Sequence, residues 1–399
     1  MPHRPPHAPD LDVRRHRRGN YSMILGVMMP IFLGFAALSV DTGWIRMAES
    51  QAQDVADASA HAALIELRRS GDQAQAKAAV DTIVSKNKVA NGHATVDDVI
   101  FGSWERGGAF SETTYRPNAV TTEVSRTEGT DGVELLFARI WGRDEASVEA
   151  SAVAASRSLH AIIVMDITGS FSAEISEAAK AAVAFLDIVN DSHGKYDKIG
   201  MSTFYYIYGH ERSPLTYLDD EVAITAMRAD WLSIRHASRI SGSYPDAEYP
   251  GPRPHMPREY DREQGTDHHV GVVMARDMFD RETDPFAYRA MVVLTDGQPI
   301  NLRESTVRDD IGYVDDRWNV YEGPVPHTID EIKVAAVAQA TEAWDDQRVH
   351  TWVVSFREAN DFMRNMVHGD GVFYHTTNAN ELKPIFEEIA HSLPLLIVE

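Results

Sequence analysis

The chain of 399 residues carries a net charge of −22, is 44% hydrophobic and 25% charged, and contains no cysteine. This composition is typical of a globular protein with room for two sizeable cores, and it excludes disulfides, thiolate chemistry and cysteine-based zinc sites. Because so acidic a chain repels phosphates, nucleic acid is not expected among its partners.

The N-terminus has the pattern of a membrane anchor. Residues 1–20 contain five arginines and two aspartates, and the next twenty residues, Tyr21 to Val40, carry no charge. A helix of that length spans roughly the 30 Å hydrocarbon core of a bilayer. The arginine bias predicts a basic cytoplasmic segment (1–20), a single transmembrane helix (21–41) and all later residues outside the cytoplasm. A cleaved signal peptide is the alternative, but the length of the apolar run favours an uncleaved anchor.

The helical pattern continues past the membrane, with no Gly or Pro between Arg46 and Gly71. Small residues recur on one side of this helix and predict close packing, although alanine is also the best helix former. These residues are Ala48, Ala52, Val55, Ala56, Ser59 and Ala63.

The segment from Ala37 to Leu64 resembles the N-terminal region of the Tad (tight adherence) pilus-assembly proteins of the TadG-like group. That region has a "QxxxDxAxxA" core, matched here, with the spacing displaced by one in places, by Gln51, Asp54, Asp57, Ala58 and Ala62. The resemblance implies a bacterial protein of the inner membrane whose partners are other pilus-assembly components.

Residues 42–158 are expected to form the Tad-like helix and a small α+β domain. A further helix is predicted at "AQAKAAVDTIVSKN", and strands are predicted at "ATVDDVIFGSWE", "AVTTEVSRT", "VELLFARIW" and "ASVEASAVAAS". This part contains no motif that carries chemistry, which favours a spacer role.

Residues 159–399 alternate strands with helices. The apolar runs "LHAIIVMD" and "YRAMVVLTDG" are too short for membrane spans and are typical of buried parallel strands, while "SAEISEAAKAAVAFLDIVN" is an amphipathic helix. The pattern predicts a doubly wound, mainly parallel α/β sheet with helices on both faces, whose ligand site lies beyond the carboxyl ends of the strands.

Five side-chain oxygens are expected at that edge of the sheet. Three follow the first strand, one begins a helix, and one ends a second strand: Asp166, Thr168, Ser170, Thr266 and Asp296. Each one alone is explained by a strand-end turn or a helix cap. Together they contain no nitrogen or sulfur ligand, which favours a hard cation over zinc.

The set and order of these five residues resemble the metal-ion-dependent adhesion site of von Willebrand factor A domains, which is built from Asp-x-Ser-x-Ser, a Thr and an Asp. Here Thr168 replaces the usual Ser, and "GTDHH" lacks the doubled glycine common before the family's Thr. The resemblance implies bound Mg²⁺, with Mn²⁺ or Ca²⁺ as alternatives. It implies direct bonds from Thr168, Ser170 and Thr266, or a subset of them, and water-mediated ones from Asp166 and Asp296. A vacant position would accept a carboxylate from a protein partner.

Two other groups of polar residues are interpreted as structural. His268 and His269 are adjacent on a helix and point in different directions, so helix-face histidines are expected rather than a metal pair. The acidic run Asp309, Asp310, Asp315 and Asp316 lacks the spacing of a calcium loop and is expected to be a solvated loop. No hydrolase or phosphate-loop motif occurs.

These patterns favour a non-enzymatic, membrane-anchored, extracytoplasmic component of Tad/Flp-type pilus assembly or adhesion. The alternatives are an envelope assembly or chaperone-like factor without an adhesive role and a hydrolase that uses the metal to activate water. Two long connections, 236–265 and 298–328, are predicted to flank the metal as a cleft, with Tyr244, Tyr249 and Trp318 as anchors for the partner.

Overall fold

The computed structural model describes residues 18–104, 110–205, 208–234, 266–284, 287–297, 313–314, 320–321, 328–393 and 397–398. They form two compact units. The N-terminal unit comprises the described residues of Met1–Ser59 with Asp81–Asp98 and Thr122–Ala152. The C-terminal unit comprises Ala60–Val80 and the described residues of Val99–Thr121 and Val153–Glu399.

The first element is a helix of 53 residues, α1 (Arg18–Ser70), with Pro30 inside its apolar part. Large apolar side chains from Tyr21 to Val40 are exposed to solvent, including Phe32 and Phe35. Within the described ranges, α1 is the one helix long and apolar enough to cross a membrane. The prediction that the apolar helix continues unbroken beyond its uncharged part is confirmed.

The next elements are one helix and six strands. They are α2 (Gln73–Lys86), β1 (Thr95–Ser103), β2 (Ser111–Glu112), β3 (Ala119–Arg126), β4 (Val133–Glu134), β5 (Glu145–Ala146) and β6 (Val148–Ser156). A five-stranded sheet has the order β15-β6-β3-β1-β2, in which β15 is Ile397–Val398, and β4 pairs with β5.

The small-residue face of α1 is buried, as predicted. Ala48, Ala52 and Ala56 have no exposed surface. Their small side chains allow β3 to come so near that the Thr122 hydroxyl donates a hydrogen bond of 2.9 Å to the Ala56 carbonyl. The Ser59 hydroxyl donates to the same carbonyl, also at 2.9 Å. This face of the helix therefore packs directly against the sheet.

The strand predicted for "VELLFARIW" is wrong for most of its length. Only Val133–Glu134 is strand, and Ala138–Trp141 is a 3₁₀ turn. The physical reason is Asp41, whose carboxylate accepts hydrogen bonds from the backbone N–H groups of residues 136, 137 and 138. Donors that point at a carboxylate are unavailable to a sheet ladder, so the chain turns.

The C-terminal unit is built mainly from the elements that follow. They are β7 (Leu159–Asp166), α3 (Ile175–Ser192), β8 (Lys198–Tyr205), β9 (Tyr208–Tyr217), α4 (Glu221–Leu232), α5 (His268–Asp280), β10 (Tyr288–Thr295), β11 (Tyr313–Val314), β12 (Val320–Tyr321), α6 (Ile329–Gln347), β13 (Val349–Phe356), α7 (Asp361–Asn365), β14 (Phe373–Thr376) and α8 (Leu382–Ser392).

The main sheet of this unit has the order β14-β13-β10-β7-β8-β9. All neighbours are parallel except β8 and β9, which form an antiparallel hairpin. The predicted doubly wound, mainly parallel sheet is therefore confirmed. Edge strand β9 and helix α4 were not predicted. Pro214 within β9 weakens the strand signal, and proline is tolerated in a strand at the edge of a sheet.

Alternate residues of the central strands feed two cores. Ile163 of β7 packs with α3, α4 and α8, around Phe185, Trp231 and Phe386. Ile162 packs instead with α5, α6 and α7. Both faces of the sheet are covered, which explains why every residue of β7 and β10 is buried. From β7 the chain proceeds to β8 on one side, whereas β10 and β13 lie on the other, so β7 and β10 flank the switch point.

Candidate functional site

The two predicted aspartates leave neighbouring strands at the same edge of the sheet. Asp166 is the last residue of β7, and Asp296 directly follows β10. The strands are parallel and in register, with Met165 opposite Leu294. Parallel strands bring their carboxyl ends together, so both carboxylates lie at the switch point.

A chain of hydrogen bonds joins the loop after β7 to Asp296. The Ser170 hydroxyl donates to Asp296 Oδ1 at 3.1 Å, and the Thr168 and Ser170 hydroxyl oxygens are 2.9 Å apart. Because Ser170 gives its only proton to Asp296, the Thr168 hydroxyl is the donor between the two. The backbone N–H of Thr168 donates to Asp166 Oδ1 at 2.9 Å. Four of the five predicted site residues are therefore brought together.

The fifth predicted residue, Thr266, is buried two residues before the start of α5. The hydrogen bonds described for the other four do not include it, so its part in the site stays a prediction. Its neighbour Asp267 caps α5 by accepting a 3.0 Å hydrogen bond from the backbone N–H of His269. Burial raises the pKa of Asp267 to about 7.

The two site carboxylates are held in an unfavourable electrostatic state. Asp166 is 0% exposed and Asp296 is 6% exposed. Burial, and then the charge of Asp296, raise the pKa of Asp166 to about 7. Burial also raises the pKa of Asp296, against the opposing effects of the Ser170 hydrogen bond and the Arg357 charge. A cation between two such groups would remove the repulsion that raises the pKa.

Two buried hydrogen bonds connect Asp166 to Thr295 and Thr295 to His268. The Thr295 hydroxyl donates to Asp166 Oδ2 at 2.9 Å, and His268 Nε2 lies 2.7 Å from the same hydroxyl oxygen. Since Thr295 has already given its proton to Asp166, Nε2 is the donor. His268 is fully buried between Phe204 and Phe362, and burial lowers its pKa to about 3. This neutral imidazole fixes the orientation of Thr295 and, through it, of Asp166.

The sequence analysis found neither the role of Thr295 nor that of His268, and it interpreted His268 only as a helix-face residue. The available signal was the position of Thr295 directly before Asp296 in "LTDG". His269 is also buried rather than solvent-facing, and burial lowers its pKa to about 4.

Arg357 is a further residue of the site that the sequence did not indicate. Its Nη1 atom donates to the Ser170 carbonyl at 3.1 Å and lies 3.7 Å from Asp296 Oδ2, while Nη2 contacts Glu174 at 2.7 Å. Its backbone has φ 70°, a left-handed conformation that costs energy in a non-glycine residue. The preceding Phe356 packs edge-on against Phe171, with ring centroids 5.9 Å apart, which holds the two loops together.

The donor set fits a magnesium ion. No group of three His, Asp or Glu side chains that could hold a metal occurs among the residues the structure describes. Two carboxylates and neighbouring hydroxyls are oxygen ligands, few in number, as expected for an ion that keeps several of its waters.

Both long connections fall largely outside the described residues. Tyr244, Tyr249 and Trp318 are among the residues not described, so the predicted cleft stays a prediction. The acidic run Asp309, Asp310, Asp315 and Asp316 likewise lies outside the described part of the chain.

The solved structures to which the chain is similar include three from bacteria. One is the pilus adhesin SpaC of Lactobacillus rhamnosus GG, with 13% identity and a TM-score of 0.39 over 76% of this chain and 35% of that one. Another is von Willebrand factor type A from Catenulispora acidiphila, with 12% identity and a TM-score of 0.38 over 74% and 49%. The third is the vWF domain of the type V pili tip protein Mfa5 from Porphyromonas gingivalis, with 12% identity and a TM-score of 0.39 over 59% and 95%.

This chain thus spans little more than a third of the length of SpaC. The fold itself is described by the sheet order and the buried central strands, which form a doubly wound, mainly parallel α/β sheet.

No curated protein matches the chain. Residues 19–80 match the family described as putative Flp pilus-assembly TadE/G-like. The predicted resemblance of the N-terminal segment to the Tad pilus-assembly proteins is therefore confirmed.

Proposed function

We propose that this chain is a membrane-anchored, extracytoplasmic component of Tad/Flp-type pilus assembly or adhesion, and that its C-terminal domain binds a protein partner or surface through a magnesium ion. The N-terminal match to the TadE/G-like family supports the pilus context. The long exposed apolar part of α1 supports the membrane anchor, and the arginine-rich segment before it supports an N-terminus in the cytoplasm.

One observation carries the metal part of the proposal. Two buried carboxylates, Asp166 and Asp296, lie at one sheet edge, and burial, followed by the charge of Asp296, raises the pKa of Asp166. Burying like charges together is unfavourable unless something compensates for them. A divalent cation is the compensation that the surrounding oxygen ligands fit.

In this proposal Thr168, Ser170 and Thr266 contribute hydroxyl oxygens, and Asp166 and Asp296 contribute the negative charge. When bound, the ion offers a partner carboxylate a strong electrostatic contact. Ser170 is exposed, whereas Thr168 and both carboxylates are buried, so the site is open to a partner on the side of Ser170.

The direct test is calorimetric titration of Mg²⁺ into the detergent-solubilised full chain, its Asp296→Asn variant and a control, Asp187→Asn. Asp187 is a half-exposed aspartate of α3 that is paired with Arg228. We expect binding to the native chain and the control, and a loss in Asp296→Asn of at least the roughly 10–100-fold caused by removing an outer partner of a metal ligand. Equal affinity in all three chains would remove the metal site from the proposal.

Fractionation separates the two roles in pilus biology. An adhesive role predicts the chain on purified pilus fibres, whereas an assembly or chaperone-like role predicts it only in envelope membranes.

The hydrolase alternative needs an accessible general base near Asp166. His268, which reaches Asp166 through Thr295, is fully buried and already hydrogen-bonded, so the described geometry gives that alternative no support.

A further inference from the structure

The short segment 136–141 of the N-terminal unit lies at the end of the apolar part of α1. Asp41 is the first residue after the uncharged run that ends at Val40. Its carboxylate oxygens accept hydrogen bonds of 2.6–3.1 Å from the backbone N–H groups of Leu136, Phe137 and Ala138. Asp41 and Leu136 are 95 residues apart in sequence. Their contact holds segment 136–141 at the point where the membrane-crossing part of the helix ends.

Segment 136–141 exposes large apolar side chains. Leu136 is 49% exposed, Phe137 39%, Ile140 73% and Trp141 65%. Four such residues within six positions form an unusual surface for a water-soluble domain, in which large apolar patches commonly mark contact sites. Residues 138–141 form a 3₁₀ turn with no buried side chain, so the patch does not serve the core of the unit.

The chemistry of the segment matches the bilayer interface. Tryptophan and other aromatic residues are enriched at the level of the lipid headgroups, where an apolar ring and a polar edge are both accommodated. Arg139 and Arg143 are exposed beside the patch, in a chain whose net charge is −22, and Arg143 lies 3.9 Å from a carboxylate oxygen of Glu128. An arginine next to apolar side chains is attracted to anionic lipid by about 1 kcal/mol when an acidic side chain does not already neutralise it.

We propose that segment 136–141 inserts its apolar side chains into the outer headgroup region of the same bilayer that α1 crosses, as a second membrane contact. The occupant of the patch is lipid. Continuity supports this choice, because Asp41 joins the patch to the last residues of the apolar helix and thereby places it at the membrane surface. The inference rests on the proposed membrane anchor and is independent of the metal site.

Asp41 has a positioning role in this arrangement. It is 3% exposed and accepts donors from three successive residues, which fixes the backbone from Leu136 to Ala138. A fixed segment loses little conformational entropy on entering the interface. Asp41→Asn keeps the size of the side chain and removes its charge, so it should loosen the segment.

The absence of cysteine from the chain makes a site-specific probe straightforward. The full chain with Ile140→Cys, labelled with a nitroxide, is reconstituted at low density into vesicles of phosphatidylcholine and phosphatidylglycerol. Accessibility of the label to oxygen and to a water-soluble nickel chelate then reports its depth. Leu33→Cys, within the apolar part of α1, and Val222→Cys, which is 82% exposed on α4, are the matched controls.

We expect the label at Ile140 to be accessible to oxygen and shielded from nickel, at a depth of about 5–10 Å, as for other interfacial segments. The label at Leu33 should be deeper and that at Val222 accessible to nickel. In Asp41→Asn, the label at Ile140 should become more mobile and more accessible to nickel.

Three results would contradict these expectations. A label at Ile140 as accessible to nickel as that at Val222 would overturn the proposal while leaving the anchor intact. A label shielded from both reagents, with dipolar broadening between copies, would replace lipid by a second copy of the chain. A nickel-accessible label at Leu33 would instead overturn the anchor itself.

Discussion

The two units of the molecule each bury a carboxylate, and they treat it in opposite ways. In the N-terminal unit, Asp41 accepts hydrogen bonds from three backbone N–H groups. In the C-terminal unit, Asp166 accepts one from backbone and one from the Thr295 hydroxyl, and its pKa is raised first by burial and then by the charge of a second carboxylate, Asp296. The first carboxylate is compensated by the fold, and the second is not.

Under the proposed function, this difference separates a carboxylate that stabilises the fold from one that binds metal. A carboxylate surrounded by backbone donors stabilises the fold by itself, because each charge-assisted hydrogen bond is favourable. A crowded pair of carboxylates weakens the fold until a cation arrives. Each unit can therefore be tested by asking what removal of its carboxylate does to stability, with and without magnesium.

The largest effect is expected for the paired carboxylates. Magnesium at a hundred times its dissociation constant should stabilise the native chain by about 2.7 kcal/mol, and Asp166→Ala or Asp296→Ala should abolish that stabilisation. Without magnesium, Asp296→Ala should unfold at the same or a higher urea concentration than the native chain, because a repulsion has been removed. Asp166→Ala also loses the hydrogen bonds from the Thr168 N–H and the Thr295 hydroxyl, so it should unfold at a urea concentration no more than slightly lower than the native chain. Urea unfolding of the detergent-solubilised chain measures both quantities, and marked destabilisation without metal would make Asp166 a structural residue like Asp41.

The converse result is expected for Asp41. Asp41→Ala leaves three partly buried backbone donors without their acceptor and should cost about 2 kcal/mol, whether or not magnesium is present. Hydrogen exchange should show lost protection at the amides of Phe137 and Ala138. Asp57→Ala, which removes an exposed aspartate of the same helix, should change stability by no more than about 0.5 kcal/mol. Unchanged exchange in Asp41→Ala would show that the described hydrogen bonds do not order the segment.

A third buried ionisable group, His160 of β7, extends the comparison to a group that should titrate when the protein unfolds. Burial, and then the charge of Lys198, lower its pKa to about 3. The folded state keeps the imidazole neutral, whereas the unfolded state takes up a proton below the ordinary pKa of about 6.5. The contribution of His160 to the free energy of unfolding is therefore fully present above about pH 6.5. It is lost as the pH falls towards 3, by about 1.4 kcal/mol per pH unit.

Urea unfolding at neutral pH and near pH 5 tests this effect. The native chain should lose more stability between the two conditions than His160→Gln does. His391→Gln, an exposed histidine of α8, serves as the control and should behave as the native chain does. The same acid loss in all three chains would assign it to other groups.

The smallest expected effect concerns Arg357, a protein cation that already lies 3.7 Å from Asp296 Oδ2. Since like charges repel, this guanidinium should weaken magnesium binding, and Arg357→Gln should strengthen it by roughly five-fold, or about 1 kcal/mol. Arg357→Lys keeps the charge and should leave the affinity near its native value. Calorimetry distinguishes the two, and weaker binding in Arg357→Gln would show that the arginine mainly supports the loop of Ser170.

Much of the C-terminal fold was predictable because its signals are local. β7 and β10 are unbroken apolar runs, and the carboxyl ends of parallel strands meet at one edge, so Asp166 and Asp296 could be placed together from sequence. The order of the five oxygen-bearing residues along the chain gave the remaining site prediction. The hydroxyls of Thr168 and Ser170, within four residues of Asp166, follow it into the same loop.

The parts that were missed depend on long-range contacts. The turn at 138–141 forms because backbone N–H groups at its start donate to the Asp41 carboxylate. The residues of "VELLFARIW" do not indicate a hydrogen-bond partner 95 residues away. Arg357 reaches the site only through its left-handed backbone and the Phe171–Phe356 contact. The role of His268 depends on a hydroxyl contributed by a neighbouring strand.

The alanine face of α1 limits how this part of the molecule can vary. Ala48, Ala52 and Ala56 have no exposed surface, and Thr122 already touches the helix backbone beside Ala56. A larger side chain there would push the sheet away and break that hydrogen bond, so overpacking would be costly. The opposite face, which bears exposed Asp54 and Asp57, has no such restriction. Substitutions along this helix should therefore be tolerated on the exposed side and not on the side that packs against the sheet, where the residues should stay small.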